Sequence, residues 1–120
     1  MKHLSLALAS FAILTASSVA CAADLAAGKA VYEKLNCASC HGADAKSPVD
    51  PAYPILAGQH ADYLAHALKA YQRGAQNAPS TANVRKNAIM GAFAVQLSSQ
   101  DIANVTAWLA SQPGPLGVRK

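Results

Sequence analysis

The chain has 120 residues, 52% of them hydrophobic, with ten Lys and Arg against six Asp and Glu. That is one domain's worth of sequence, and its three cysteines leave only two beyond residue 22, which is no disulfide framework. The basic residues are scattered with no Lys/Arg cluster, which argues against a nucleic-acid partner and leaves them as ordinary solubilising charge.

The first element is a leader rather than part of the domain. Met1-Lys2-His3 is a short basic start, Leu4 to Ala20 is uncharged and largely apolar, and Ala20-Cys21-Ala22 closes it in an A-x-A pattern before the first acid, Asp24. This is the layout of a secretory signal peptide, residues 1–22, with cleavage after Ala22. An uncleaved anchor fits less well, because the run is Ser/Thr-rich and ends in a cleavable pattern. Lipidation at Cys21 fits less well again, since Ser18 stands where a bulky aliphatic residue is expected. Removing the leader leaves one domain, residues 23–120, with nine basic residues against six acids, a net of +3. Two cysteines remain, Cys37 and Cys40, and no stable membrane insertion is expected.

Three stretches of this domain show helical periodicity and none a sustained period of two, so an all-α fold is expected. In the first, Asp24 to Asn36, the residues Gly28, Val31, Tyr32 and Leu35 share one face, and Asp24 is placed to cap the start. In the second, Leu64, Ala67, Leu68 and Tyr71 repeat the pattern, Gly74 is placed to end the helix, and Asp62, His66, Lys69 and Arg73 form a wet face. The third begins at Ser98, with Asp101 completing an approximate capping box. Ile102, Val105 and Leu109 form its stripe with Trp108 beside it, and Pro113 and Pro115 stop it. The intervening stretches, His41 to Gln59 and Ala75 to Asn87, read as loops too long for so small a domain unless they fold around something. Gly28 costs its helix about 1 kcal/mol against alanine, so its place on the apolar face predicts a close helix crossing, with Trp108 of the last helix the expected neighbour.

Residues 37 to 41 read CASCH, which admits three chemistries. A structural zinc site wants about four ligands, usually including a second cysteine pair, and none exists. A redox-active C-x-x-C follows a strand in a βαβ unit, whereas this one follows a helix. Haem attachment explains more. Cysteines at i and i+3 present both sulfurs to one side, able to add to the two vinyl groups of one haem, and the adjacent His41 then comes under the iron. A thioether suits the second axial position, and Met90, in the loop before the last helix, is the one methionine left after the leader.

The domain resembles a class I c-type cytochrome, most closely a single-haem cytochrome c553 or one half of a cytochrome c4. The resemblance runs from Gly28-Lys29-Ala30 through CASCHG, PILAGQH at residues 54–60 and Tyr63-Leu64 to Tyr71. It continues with Met90, eight residues before Ser98, and LSSQDIANVTAW at 97–108. It implies a small fold of helices packed around one covalently bound haem c. Cys37 and Cys40 would carry the thioethers and His41 and Met90 would bind the iron. The Pro54 carbonyl would accept a hydrogen bond from the free ring nitrogen of His41, and Leu56 would pack on the haem. The implied function is a periplasmic electron carrier and not an enzyme. Its expected partners are a donor dehydrogenase or quinol-oxidising complex and a terminal oxidase or reductase. The alternatives are a haem sensor or enzyme with an open sixth position, or a haem subunit of a larger dehydrogenase; His60 is not expected to reach the iron.

Overall fold

A computed structural model describes residues 22–116, so the leader, apart from Ala22, lies outside the described residues. Five helices succeed one another: α1 (Leu25–Lys34), α2 (Ala38–His41), α3 (Ala61–Ala75), α4 (Ala88–Ala94) and α5 (Ser99–Ser111). There is no strand among the described residues, and the fold is the all-helical one that the periodicity predicts.

The ends of α1 set up everything downstream. Asp24 Oδ1 accepts from the backbone N–H groups of Ala26 and Ala27 at 2.9 and 3.1 Å, satisfying two donors that a helix start leaves open. At the other end Asn36 takes the left-handed conformation, φ +52°. Its N–H donates to Glu33 O at 3.0 Å, and Cys37 N–H donates to Tyr32 O at 3.1 Å. This paired closure is a Schellman motif with asparagine in the usual glycine position. The chain therefore re-enters a helix at once, with Cys37 capping α2.

Helix α1 crosses α5 at Gly28, as its place on the apolar face predicts. A Cβ at Gly28 would overlap the Asn104 carbonyl oxygen and lie 2.8 Å from Trp108 Cβ. Asn104 is thus a nearer neighbour than the expected Trp108. Its buried side chain also ties the two helices, accepting at Oδ1 from Asp24 N–H and from Gln100 Nε2, each at 2.9 Å. The Trp108 ring meets Tyr32 with centroids 5.0 Å apart.

Helix α3 keeps its predicted stripe but not its predicted terminator. Gly74 lies inside the helix, and Asn77, at φ +55°, supplies the left-handed residue. Ala78 N–H donates to Arg73 O at 3.0 Å and Asn77 N–H to Gly74 O at 3.3 Å, a second Schellman closure. Gly74 is needed for another reason: a Cβ there would overlap the Arg85 carbonyl as the next loop returns. On the wet face Asp62, His66 and Lys69 are exposed, while Arg73 Nε donates to Asn83 O at 2.7 Å and so holds that loop.

Met90 lies in α4 rather than in a loop. Asn87 caps this short helix by accepting from Met90 N–H at 2.9 Å. Gly91 lets α4 approach α3, since a Cβ there would lie 3.2 Å from Ala75 Cβ. Gln72 Nε2 donates to Ala94 O and Leu97 O at 2.8 and 2.9 Å, satisfying a carbonyl at the end of α4 and one in the turn that follows.

The capping box of α5 is complete. Asp101 N–H donates to Ser98 Oγ at 3.0 Å and Ser98 N–H to Asp101 Oδ2 at 3.0 Å. Ile102, Val105 and Leu109 are buried as their spacing predicts, and Tyr32, Leu64, Ala45 and Ala57 join Val105 and Leu109 in the core. The 42–59 loop is stitched to this core through its backbone. Ala45 O accepts from Leu56 and Ala57 N–H, both at 2.9 Å, and Gly58 N–H donates to Leu109 O at 3.0 Å.

Candidate functional site

Val31 of α1, Leu35 at its C-cap, and Ala67, Leu68 and Tyr71 of α3 belong to apolar stripes yet are only half-buried. They line a cavity of about 380 Å³. That volume lies in the range of ligand and cofactor sites. All six residues singled out in the sequence reach its wall: Cys37, Cys40, His41, Pro54, Leu56 and Met90. Leu64, Phe93, Val105 and Leu109 add to an apolar lining. His60 and His66 are exposed and take no part in it.

CASCH is wound as a helical turn. Cys40 and His41 N–H groups both donate to Cys37 O, at 3.2 and 3.0 Å, and Gly42 N–H donates to Ala38 O at 3.0 Å. Gly42 then turns the chain at φ +84°, where a Cβ would also overlap the Ser47 carbonyl. Its own carbonyl is pinned by Tyr32, whose buried hydroxyl donates to it at 2.7 Å. Burial, followed by Cys37 and Asp44 nearby, pushes the Tyr32 hydroxyl well above its ordinary pKa, so it remains a donor at neutral pH.

His41 is buried, and its Nδ1 lies 2.9 Å from Pro54 O. A carbonyl only accepts, so Nδ1 carries the proton and Nε2 keeps a free lone pair. This tautomer is the one a metal-ligating imidazole needs, and the hydrogen bond also fixes the ring's orientation. The Tyr53 ring stands edge-on to it, with centroids 6.2 Å apart.

The competing chemistries find little here. Among the described residues no three His, Cys, Asp or Glu side chains gather as a metal site, so zinc lacks its ligand set. Burial pushes the Cys37 thiol above its ordinary pKa. A redox-active C-x-x-C needs the opposite shift. What is present fits a haem: two thiols three residues apart, an imidazole with its free nitrogen held ready, a thioether and an apolar cavity.

The sequence matches the family model for cytochrome c over residues 25–113. The chain belongs to the cytochrome c family. It is similar to cytochrome c-554(548) of Halomonas halodenitrificans, with 38% identity over 92 residues, covering 76% of this chain and 99% of that protein. It is also similar to a thiosulfate dehydrogenase electron acceptor of Stutzerimonas stutzeri, 34% identical over 122 aligned residues, 96% of this chain and 51% of that protein. The crystal structure of reduced recombinant cytochrome c4 from Pseudomonas stutzeri superimposes with a TM-score of 0.67 at 34% identity, covering 78% of this chain and 47% of that one. The chain thus spans about half of the latter two proteins. With its C-x-x-C at Cys37 and Cys40, this cytochrome carries covalently bound haem c and serves as an electron carrier.

Two features of the site were not legible in the sequence. One is α4, the short helix that brings Met90 to the cavity. The other is Arg85, the only formally charged side chain in the lining. A lone arginine in a polar loop gives no local signal, and its place follows from the return of the loop over α3.

Proposed function

We propose that this cytochrome is a periplasmic carrier of single electrons, with Cys37 and Cys40 as thioether donors and His41 and Met90 as the axial ligands of the haem iron. The observation that carries this reading is the His41 imidazole, oriented by Pro54, in the same cavity that Met90 lines. When bound, the haem supplies a one-electron iron couple. The protein's residues hold it in place and keep its environment constant between the two oxidation states. His41 and Met90 would both bind the iron in either oxidation state, so neither ligand would have to leave and reorganisation would stay small. Leu56, Leu64, Phe93 and Val105 exclude water from the iron and favour its less charged, reduced form.

The donor in this reading is a dehydrogenase or a quinol-oxidising complex, and the acceptor is a terminal oxidase or reductase. Likeness to an electron acceptor of thiosulfate dehydrogenase supports a dehydrogenase as donor. The signal-peptide layout of residues 1–22 supports the periplasm. No helix among the described residues is long and apolar enough to cross a membrane.

Intact-mass spectrometry and optical spectra of the holoprotein test this directly. The expected mass is that of residues 23–120 plus one haem, recovered from the periplasmic fraction. Spectra through repeated reduction and reoxidation are expected to be low-spin and six-coordinate in both states. A high-spin spectrum in either state would contradict the carrier, and a mass retaining the leader or bearing lipid would contradict the location.

A further inference from the structure

Arg85 sits in the loop between α3 and α4, and its backbone is clamped on two sides. Its N–H donates to Ala70 O at 3.0 Å, and its carbonyl packs where Gly74 has no side chain. The side chain is held as closely. The guanidinium carbon lies 5.6 Å from the ring centroids of both Tyr63 and Tyr71, and Nη2 donates to the Tyr63 hydroxyl at 3.2 Å. Tyr63 and Tyr71 are eight residues apart on α3, about two helical turns, so they share a face and grip the cation between them. All three residues line the haem cavity.

Arg85 is half-buried, and on this apolar wall its cation is met by the faces of two tyrosine rings. Among the described residues the ion pair is Lys29 with Glu33, and no carboxylate pairs with Arg85. Packing alone would be served by an apolar side chain between the two rings. A guanidinium remains charged at any working pH, so this one applies a constant positive field to whatever fills the cavity.

We propose that Arg85 is a potential-setting residue: its fixed cation faces the bound haem, favours the ferrous state and so raises the reduction potential. Tyr63 and Tyr71 are positioning residues that hold the charge in place. The proposal rests on haem occupying this cavity. The sign is the same whether the cation acts on the iron directly or counters a haem carboxylate, because either path makes the ferric charge less favourable.

The test is spectroelectrochemical titration of the holoprotein and of its Arg85→Gln, Arg85→Met, Arg85→Lys and Lys69→Gln variants, with the axial-ligand spectrum recorded for each. At a fixed ambient potential, Arg85→Gln and Arg85→Met are expected to lower the ferrous-to-ferric ratio about three- to tenfold, tenfold being about 59 mV for a one-electron couple. Arg85→Met keeps an apolar stem between the rings, so the charge can still be removed if the glutamine variant does not accumulate. Arg85→Lys is expected to retain most of the potential. Lys69→Gln, which removes an equal charge from the exposed face of α3, is expected to change the ratio less than twofold. An Arg85→Gln or Arg85→Met shift no larger than that of Lys69→Gln would overturn the proposal. Failure of the His41 and Met90 assignment would show separately, in the wild-type spectrum rather than in the difference between variants.

Discussion

Gly28 of α1 meets Asn104 of α5 backbone to backbone, close enough that a single added methyl would overlap the Asn104 carbonyl. A side-chain neighbour could turn away from such a methyl, whereas a carbonyl inside a helix cannot. Gly28→Ala gains about 1 kcal/mol of helix propensity but must push the two helices apart. The net expectation is a loss of about 1–3 kcal/mol, and Gly28→Leu is expected to lose more. Denaturant titration of the holoprotein reads this as a lower midpoint at unchanged slope. An unchanged midpoint for Gly28→Ala would mean that the crossing relaxes freely.

The helical turn of CASCH places both sulfurs at one cavity. Haem is therefore expected to remain with the polypeptide through acid-acetone extraction and denaturing electrophoresis. Cys37→Ala or Cys40→Ala should leave one thioether or none, with a shifted spectrum or no haem stain. Complete extraction of haem from the wild-type chain would contradict covalent attachment.

The capping box of α5 gives stability a definite dependence on pH. Hydrogen bonds from the Ser98 hydroxyl and Ser98 N–H hold the Asp101 carboxyl below its ordinary pKa in the folded protein. The folded state then favours the ionised form, and this contribution is present above the unfolded carboxylate value of about 4. It is lost as pH falls through the lower, folded value. The stability gap between wild type and Asp101→Ala is accordingly expected at pH 7 and to shrink below pH about 4. Ser98→Ala should cost about 1 kcal/mol at neutral pH. A gap that widens on acidification would contradict this origin.

Where local chemistry decides a feature, the sequence carries it. Asp24 and Ser98 announce two helix starts because their side chains bond to N–H groups within three residues. CASCH and its histidine are legible for the same reason, being complete within one turn. Gly28 announces a crossing because glycine is costly there otherwise. Features decided by distant approach are hidden. Gly74 resembles a helix terminator, but its bare Cα serves the returning Arg85 carbonyl, and Asn77 ends the helix. Helix α4 has seven residues, too few for a period to emerge, and only the Asn87 cap marks it. Met90 was legible as a candidate by elimination, whereas its helix was not. The haem cavity explains why stripes on α1 and α3 are only half-buried, since their partner is a cofactor that the sequence encodes only through CASCH.

The carrier reading depends most on Met90 closing the sixth position of the iron, and carbon monoxide binding to the reduced protein measures that closure. Ferrous wild type is expected to bind the gas slowly or not at all, and its ferric form to show the weak long-wavelength charge-transfer band of iron–thioether ligation. Met90→Ala should lose that band, bind carbon monoxide promptly and show a lower reduction potential, while His60→Ala and His66→Ala behave as wild type. Prompt carbon monoxide binding by wild type, unchanged in Met90→Ala, would contradict the account and indicate an open-site haem protein.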